Sequence, residues 1–172
     1  MIKEKEPLVL KRLEDAFPGV VKKIILAFDE TGIIVEKADL EKVCWFFKED
    51  RELSFDLLSD LGGVDYNGHA EKRFEVVYHL YSTKTRQRVR IKVPVGENER
   101  VPTMTGIWKS ADWPERECSE MFGIEFEGHP DLRRLLTLDE FDGFPLRKDY
   151  PVEGKAEIIN GDEGGIQWRE RE

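Results

Sequence analysis

The segment FEVVYHLYSTKTRQRVRIKVPV, residues 74–95, contains the two clearest β-strands in the sequence. Its first eight residues are apolar at both alternating sets of positions, which is typical of an interior strand covered on both faces. Its last eight residues follow a polar loop and alternate strictly, with apolar residues on one side and Arg88, Arg90 and Lys92 on the other. The row of basic residues has two interpretations: a docking surface for an acidic partner, or a strand face in contact with solvent. The second interpretation is the favoured one.

Upstream of this segment the pattern predicts a short helix, a hairpin and a second helix. Residues 7–16 have the apolar spacing of an amphipathic helix. Strands at 20–28 and 33–36 flank a cluster of turn residues at 29–32, which favours a hairpin loop of about four residues. Asp39 is expected to cap the second helix, since Asp is a preferred N-cap residue. The apolar residues of this helix share one face: Leu40, Val43, Cys44 and Phe47.

The elements on either side of the deciding segment are shorter. Residues 55–61 alternate in part, and the Gly62-Gly63 pair that follows predicts a bulge or bend in a strand. Downstream, Pro102 is expected to begin a short helix. A second helix is predicted after Asp112, which has proline and glutamate in the positions that favour capping, and it ends at Gly123.

Periodicity disappears after residue 127, where Pro and Gly punctuate an irregular stretch. We therefore expect an α+β fold: a mixed, mainly antiparallel sheet of four to five strands with helices on one face, followed by an irregular C-terminal arm. Residues 1–127 would form the α+β domain. Residues 128–172 would form an extended C-terminal arm, with Trp168 near its end as an anchor to a neighbour.

Composition narrows the classes of function. The chain has 172 residues, 40% hydrophobic and 37% charged, which predicts one globular domain with a tail. Its net charge of -9 argues against a nucleic-acid-binding protein. Apolar runs fall far short of the ~20 residues of a membrane span, and the charged N-terminus lacks a secretory pattern, so a cytoplasmic protein is expected. Abundant Glu and Lys with few Asn and Gln hint at a thermophile.

The cysteine count bears on cofactors. Cys44 and Cys118 lie in apolar or helical patterns, far from any C-x-x-C spacing, and are expected to be buried structural thiols. An iron–sulfur cluster or a structural zinc ion takes four Cys or His ligands. Two scattered Cys and three scattered His do not supply them. The sequence therefore predicts no cofactor in this chain.

The densest polar region runs from 115 to 136. Arg116 and Glu120 are four positions apart in the predicted helix and are expected to form an ion pair. One hypothesis is a small hydrolase in which Glu117 and His129 act as an acid–base pair. The favoured interpretation is a fixed ion-pair network that holds the loop in shape, because no nucleophile motif or phosphate-binding loop accompanies those two residues.

The stretch ERECSEMFGIEFEGHPDLRRLL, residues 115–136, resembles the signature of the thirty-kilodalton subunit family of complex I. This family comprises the C subunit of NADH-quinone oxidoreductase and the related subunit of energy-converting membrane-bound hydrogenases. The likeness continues at Gly143 and in PLRKDYP, residues 145–151, and extends more loosely over residues 7–151. Phe144 stands where the family usually has histidine, which is a departure from the family pattern.

The resemblance implies a non-catalytic structural subunit in the hydrophilic arm of a membrane-bound complex I-like oxidoreductase. Its partners would be a cluster-bearing small subunit and an active-site large subunit. Those subunits would carry the iron–sulfur clusters and the quinone or nickel–iron site, and would couple electron transfer to ion translocation. The chain would lie peripherally on the cytoplasmic side of the cell membrane. The hydrogenase-type relatives are favoured by the short chain, by Phe144 and by the composition.

Roles follow for the polar residues of this region. The residues expected in a structural ion-pair network are Glu115, Arg116, Glu117, His129, Arg133 and Arg134. The residues expected at a partner interface are Arg147, Lys148, Asp149 and Trp168. The first three of these lie in a charged segment between two prolines, which is expected to resist packing on its own domain. A stand-alone assembly or regulatory factor is the alternative function, and the small hydrolase is a weaker one.

Overall fold

The computed structural model describes residues 8–27, 30–152, 156–160 and 166–170, with side chains for 8–22, 24 and 31–152. The helices within these ranges are α1 (Leu8–Ala16), α2 (Lys37–Glu49), a 3-10 turn (Lys109–Ala111) and α3 (Asp112–Phe122). The strands are β1 (Lys23–Ala27), β2 (Glu30–Ile34), β3 (Leu57–Asp65), β4 (Phe74–Tyr81), β5 (Arg88–Val95), β6 (Arg100–Pro102), β7 (Glu125–Glu127), β8 (Ala156–Asn160) and β9 (Ile166–Glu170). In the described ranges, no helix is both long and apolar enough to span a membrane.

Strands β1 to β5 form one sheet in the order β1-β2-β5-β4-β3. Neighbouring strands are antiparallel except for β2 and β5, which run parallel. Strands β4 and β5 pair along their whole length, from Phe74 opposite Val95 to Tyr81 opposite Arg88. The mixed, mainly antiparallel sheet and the α+β class predicted from the sequence are therefore confirmed, and β4 is an interior strand as expected.

Helices α2 and α3 pack on one face of the sheet. The four predicted residues of α2, from Leu40 to Phe47, are buried, and the rings of Phe47 and Phe55 lie 5.4 Å apart. Helix α3 lies so close to β3 that a Cβ atom on Gly63 would be 2.6 Å from the ring of Phe122. In α1 the buried residues are Val9, Leu10 and Leu13, whereas Leu8 is exposed.

The basic side of β5 is the opposite face of the sheet. Lys92 donates to Glu75 at 2.6 Å, and the guanidinium of Arg88 lies 4.9 Å from the ring centre of Tyr81. Charges that already have partners within the chain are less available to an acidic partner protein. These contacts favour the solvated-face interpretation.

Several predicted boundaries and caps are wrong. Ala27 pairs with Glu30, so β2 already includes residues 30–32, which the sequence analysis placed in the turn. The N-caps of α2 and α3 are Glu36 and Ala111, neither of which makes a side-chain capping hydrogen bond. Asp39 and Asp112 lie inside the first turns, where a negative charge still interacts favourably with the helix dipole. The N-cap preferences of Asp therefore located the first turn of each helix correctly but assigned the cap to the wrong residue.

Two further predictions fail in the sheet region. The register of β3 shifts between Leu58 and Asp60, so the irregularity precedes the Gly62-Gly63 pair. Pro102 does not begin a helix; it ends β6, which pairs in parallel with β7. Proline is tolerated in such a short edge strand because its missing N–H costs no ladder hydrogen bond there.

The C-terminal arm contains two strands that the sequence analysis did not predict. Strands β8 and β9 pair antiparallel, with Trp168 opposite Ile158. The side chain of Trp168 lies outside the described residues, as does position 7, where α1 was expected to begin. The domain boundary between residues 127 and 128 stays a prediction.

We predict that Gly63→Ala destabilises the protein whereas Gly62→Ala does not. The added methyl at 63 meets Phe122 and, at 3.0 Å, the sulfur of Cys118, while nothing lies within 4 Å of a Cβ at 62. Overpacking of this kind costs about 1–3 kcal/mol. Urea unfolding of both variants tests this, and equal free energies of unfolding would contradict the close packing of α3 on β3.

Candidate functional site

Residues 128–152 of the C-terminal arm are irregular and are held on α3 by polar side chains. Arg116 donates from Nε to the carbonyl oxygen of Arg133 at 2.9 Å and from Nη2 to that of Arg134 at 3.2 Å. The backbone groups of an irregular segment have no partners in a helix or sheet and bind side chains or water instead. Arg116 therefore satisfies backbone that no helix or sheet satisfies.

Glu120, one helical turn further on, accepts hydrogen bonds from three successive backbone amides. The distances are 2.7 Å to Leu135 N, 3.1 Å to Leu136 N and 2.5 Å to Thr137 N, and the Thr137 hydroxyl also donates to this carboxylate. Partial burial opposes the negative charge, but these hydrogen bonds lower the pKa of Glu120 to about 2. The carboxylate is thus ionised, which strengthens each bond.

The predicted ion pair between Arg116 and Glu120 is therefore wrong, because each side chain binds the C-terminal arm instead. The sequence analysis did not identify Glu120 as a residue that anchors the loop. The available signal was its position on the same helical face as Arg116, directly before a segment without periodicity.

His129 fixes the start of the arm against α3. Asp131 N donates to Nδ1 at 3.0 Å, so the proton of the neutral ring lies on Nε2, which donates to the carbonyl oxygen of Asp112 at 3.1 Å. The side chain is buried, with Nε2 3.9 Å from an oxygen of Glu115. Glu117 is exposed. His129 therefore contacts other residues and does not pair with Glu117, its partner in the hydrolase hypothesis.

Glu115 is a buried carboxyl group that links α3 to the segment after β6. It accepts hydrogen bonds from the Thr103 hydroxyl at 2.5 Å and from Met104 N at 2.6 Å. Burial raises its pKa to about 7, although these hydrogen bonds oppose the shift. The pKa of Cys44 and of Cys118 is also raised, by burial first and by the charge of Glu115 second. Both free cysteines are buried as predicted.

Arg147 is the second anchor of the C-terminal arm. Its Nε donates to the carbonyl oxygen of Phe122 at 2.6 Å, and its guanidinium lies 4.4 Å from the ring centre of Phe144 and 5.1 Å from that of Phe74. Gly123 ends α3 with φ of 73°, and a Cβ there would lie 2.6 Å from Arg147 Nη2. Phe144, the departure from the family pattern, thus contributes a cation–π contact within the chain.

The neighbouring residues add a third attachment. Buried Asp65 accepts hydrogen bonds from Lys148 N at 2.8 Å and from Arg73 at 3.3 Å. Arg73 also pairs with Asp149 at 2.7 Å. Burial disfavours the charge of Asp65, yet Arg73 and the backbone amides lower its pKa. The expectation that the segment between the prolines resists packing on its own domain is therefore wrong, since Arg147 and Asp149 hold it there.

The predicted network is partly assembled. Arg133 pairs with Asp131 at 2.7 Å, Arg134 donates to Thr137 and Leu138, and Arg116 joins their backbones. The cluster is a hydrogen-bond scaffold more than an ion-pair network. Within the described ranges, no group of three or more His, Cys, Asp or Glu is placed to hold a metal ion.

The sequence model of one protein family, described as the 30 Kd subunit of respiratory-chain NADH dehydrogenase, matches residues 33–156. The chain belongs to this family. A C subunit of the NADH-quinone oxidoreductase of Rhizobium meliloti, the one numbered 2, is 46% identical over 154 residues, which cover 90% of this chain and 84% of that protein. The corresponding C subunit of Azorhizobium caulinodans is 45% identical over 148 residues, which cover 86% of this chain and 70% of that protein.

Two solved structures resemble this member of the 30 Kd subunit family. A trypsin-resistant fragment of Nqo5 is 32% identical, with a TM-score of 0.64, and the alignment covers 73% of this chain and 100% of the fragment. A chain of the membrane-bound sulfane sulfur reductase, an archaeal respiratory membrane complex, has a TM-score of 0.71 at 23% identity and covers 84% of both chains. At that identity the second likeness shows the fold alone.

Glu115 should make stability depend on pH. Its pKa of about 7 lies above the ordinary value of 4.5, so stability from the protonated carboxyl is complete below pH 4.5 and is lost as pH rises through about 7. At about 1.4 kcal/mol per pKa unit, the loss approaches about 3 kcal/mol. Glu115→Gln removes this titration while keeping an acceptor for Met104 N.

The check is urea unfolding of the wild type and the Glu115→Gln variant at several pH values between about 5 and 8. The free energy of unfolding of the wild type should fall relative to that of the variant across this range. Parallel curves for the two proteins would show that Glu115 does not titrate there.

Proposed function

We propose that the chain is a non-catalytic structural subunit in the hydrophilic arm of a membrane-bound NADH-quinone oxidoreductase. It would position a cluster-bearing small subunit and an active-site large subunit for electron transfer coupled to ion translocation. Family membership carries the proposal, since the curated relatives are named as the C subunit of NADH-quinone oxidoreductase. The structure supports it with residues 128–152 of the C-terminal arm, an irregular segment that is nevertheless attached at three places.

Rigid attachment is what a positioning subunit requires. Electron transfer between cofactors depends steeply on distance, and a spacer that flexes would let that distance vary. Here Glu120 and Asp65 accept hydrogen bonds from backbone amides of the C-terminal arm, and Arg147 of the arm donates to the carbonyl oxygen of Phe122 in α3. A surface that is already held in one conformation also binds a partner without the entropic cost of ordering a loop.

The redox centres are assigned to the partner subunits. The two thiols of this chain are buried in apolar surroundings that raise the pKa of each, which opposes the thiolate form that a cluster or metal needs. Iron–sulfur clusters and the quinone or nickel–iron site would therefore lie in the small and large subunits. Attachment to the membrane, on its cytoplasmic side, would come through the complex.

The relatives favour a quinone as electron acceptor. Proteins named as the C subunit of NADH-quinone oxidoreductase are 42–46% identical over most of this chain. The sulfane sulfur reductase chain shares the fold at 23% identity. We therefore propose NADH or ferredoxin as the electron donor and a quinone as the electron acceptor. In the sequence analysis, composition and Phe144 instead favoured the hydrogenase-type relatives.

Purification of the tagged chain from its own cells in mild detergent should yield a stoichiometric complex with these partners. Mass spectrometry of the co-eluting subunits identifies them, and spectroscopy of the complex locates its iron. A chain that elutes as a free monomer would instead favour an assembly or regulatory factor. Turnover by the isolated chain would favour the hydrolase.

Lys148 gives a clean test of the predicted partner interface. Its backbone N–H binds Asp65, while its side chain is exposed, so Lys148→Glu leaves the internal attachment in place. We expect this variant to melt like the wild type and to co-purify with the complex several-fold less, because it reverses a charge at the interface. Lys148→Arg is the matched control, and normal assembly of Lys148→Glu would contradict the assignment.

A further inference from the structure

Three leucines of the C-terminal arm lie at the surface within seven residues of one another. Leu132, Leu136 and Leu138 are 41%, 65% and 54% exposed. Single exposed leucines are ordinary on protein surfaces, but a group of them on one loop is typical of an interaction site. We call residues 131–138 the leucine loop.

The leucine loop is exposed and yet fixed. Arg116 binds the carbonyl oxygens of its residues 133 and 134, and Glu120 binds the amides of its residues 135 to 137. These contacts occupy the backbone and leave the leucine side chains outside. The loop therefore holds apolar groups in water in one conformation, which is the arrangement of a surface prepared for a partner.

Charge next to the leucines indicates the chemistry of that partner. An open concavity of about 580 Å³ beside the loop is lined by Leu132, three arginines and one aspartate. The arginines are Arg116, Arg133 and Arg134, and the aspartate is Asp139. Arg133 is partly neutralised by Asp131. The lining is thus net positive on a chain whose net charge is -9, and it complements carboxylates.

On the basis of the proposed function, we infer that the leucine loop docks into an apolar depression rimmed by carboxylates on another protein subunit of the complex. Leu136, the most exposed of the three leucines, enters the depression. Arg116 and Arg134 face the acidic rim. An anionic lipid surface would also attract these arginines, and the vesicle experiment below tests for it.

The first test compares Leu136→Asp with Leu136→Met in the tagged complex. The aspartate places a charge where an apolar group is buried, so its retention in the complex should fall at least about tenfold. The methionine keeps an apolar side chain of similar size and should be retained like leucine. Urea unfolding of the isolated chains should be the same for both, since residue 136 is exposed.

The second test uses Leu136→Cys and a maleimide reagent. Native Cys44 and Cys118 are buried, so the wild-type chain gives a low background. The introduced thiol of the isolated variant should react rapidly, and its reaction in the assembled complex should be at least about tenfold slower because a partner covers it. Cross-linking from the same position should then reach an acidic, apolar surface on another subunit.

Three outcomes would overturn the inference. Normal retention of Leu136→Asp, or equal labelling of the introduced thiol in the free chain and in the complex, would show that the leucine loop is not an interface. Binding of the isolated chain to anionic vesicles that Leu136→Asp abolishes would assign the loop to a lipid surface. Absence of any complex with the wild-type chain would instead refute the proposed function, so the two failures are distinguishable.

Discussion

An irregular polypeptide segment has no ladder of its own, so its backbone must be satisfied by other groups. In this protein α3 supplies them: Arg116 binds carbonyl oxygens and Glu120 binds amides of the same loop. The conformation of residues 133–137 depends on this attachment. The exposed leucines have a defined geometry because the backbone that carries them is held by two side chains one helical turn apart.

The same helix is also fixed from the other side. Phe122 packs against Gly63 on the sheet, and Glu115 binds the segment after β6 through two hydrogen bonds. Burying a carboxyl group is unfavourable unless it is protonated or hydrogen-bonded, and here both conditions contribute. Helix α3 therefore works as a connector whose apolar face belongs to the core and whose polar face belongs to the C-terminal arm.

The periodicity of the sequence predicted those elements whose structure depends on residues close together in the chain. The residues of 74–81, apolar on both faces, and the alternation in 88–95 predicted the two strands, and the helical spacing from Leu40 to Phe47 predicted the buried face of α2. The roles of Glu120 and Arg147 escaped prediction because their partners are fifteen and more positions away and are backbone atoms, which carry no sequence signal. The pairing of Pro102 in β6 was missed for a related reason, since its partner strand follows α3.

Amide hydrogen exchange of residues 135–137 tests the central claim most directly, with Glu120→Gln compared against Glu117→Gln, a change at an exposed position of the same helix. The account predicts that in the wild type these three amides exchange at least about a hundredfold more slowly than in an unstructured peptide. Glu120→Gln should remove most of that protection and Glu117→Gln should preserve it. Unprotected amides in the wild type, or equal protection in both variants, would contradict the anchoring of the C-terminal arm by α3.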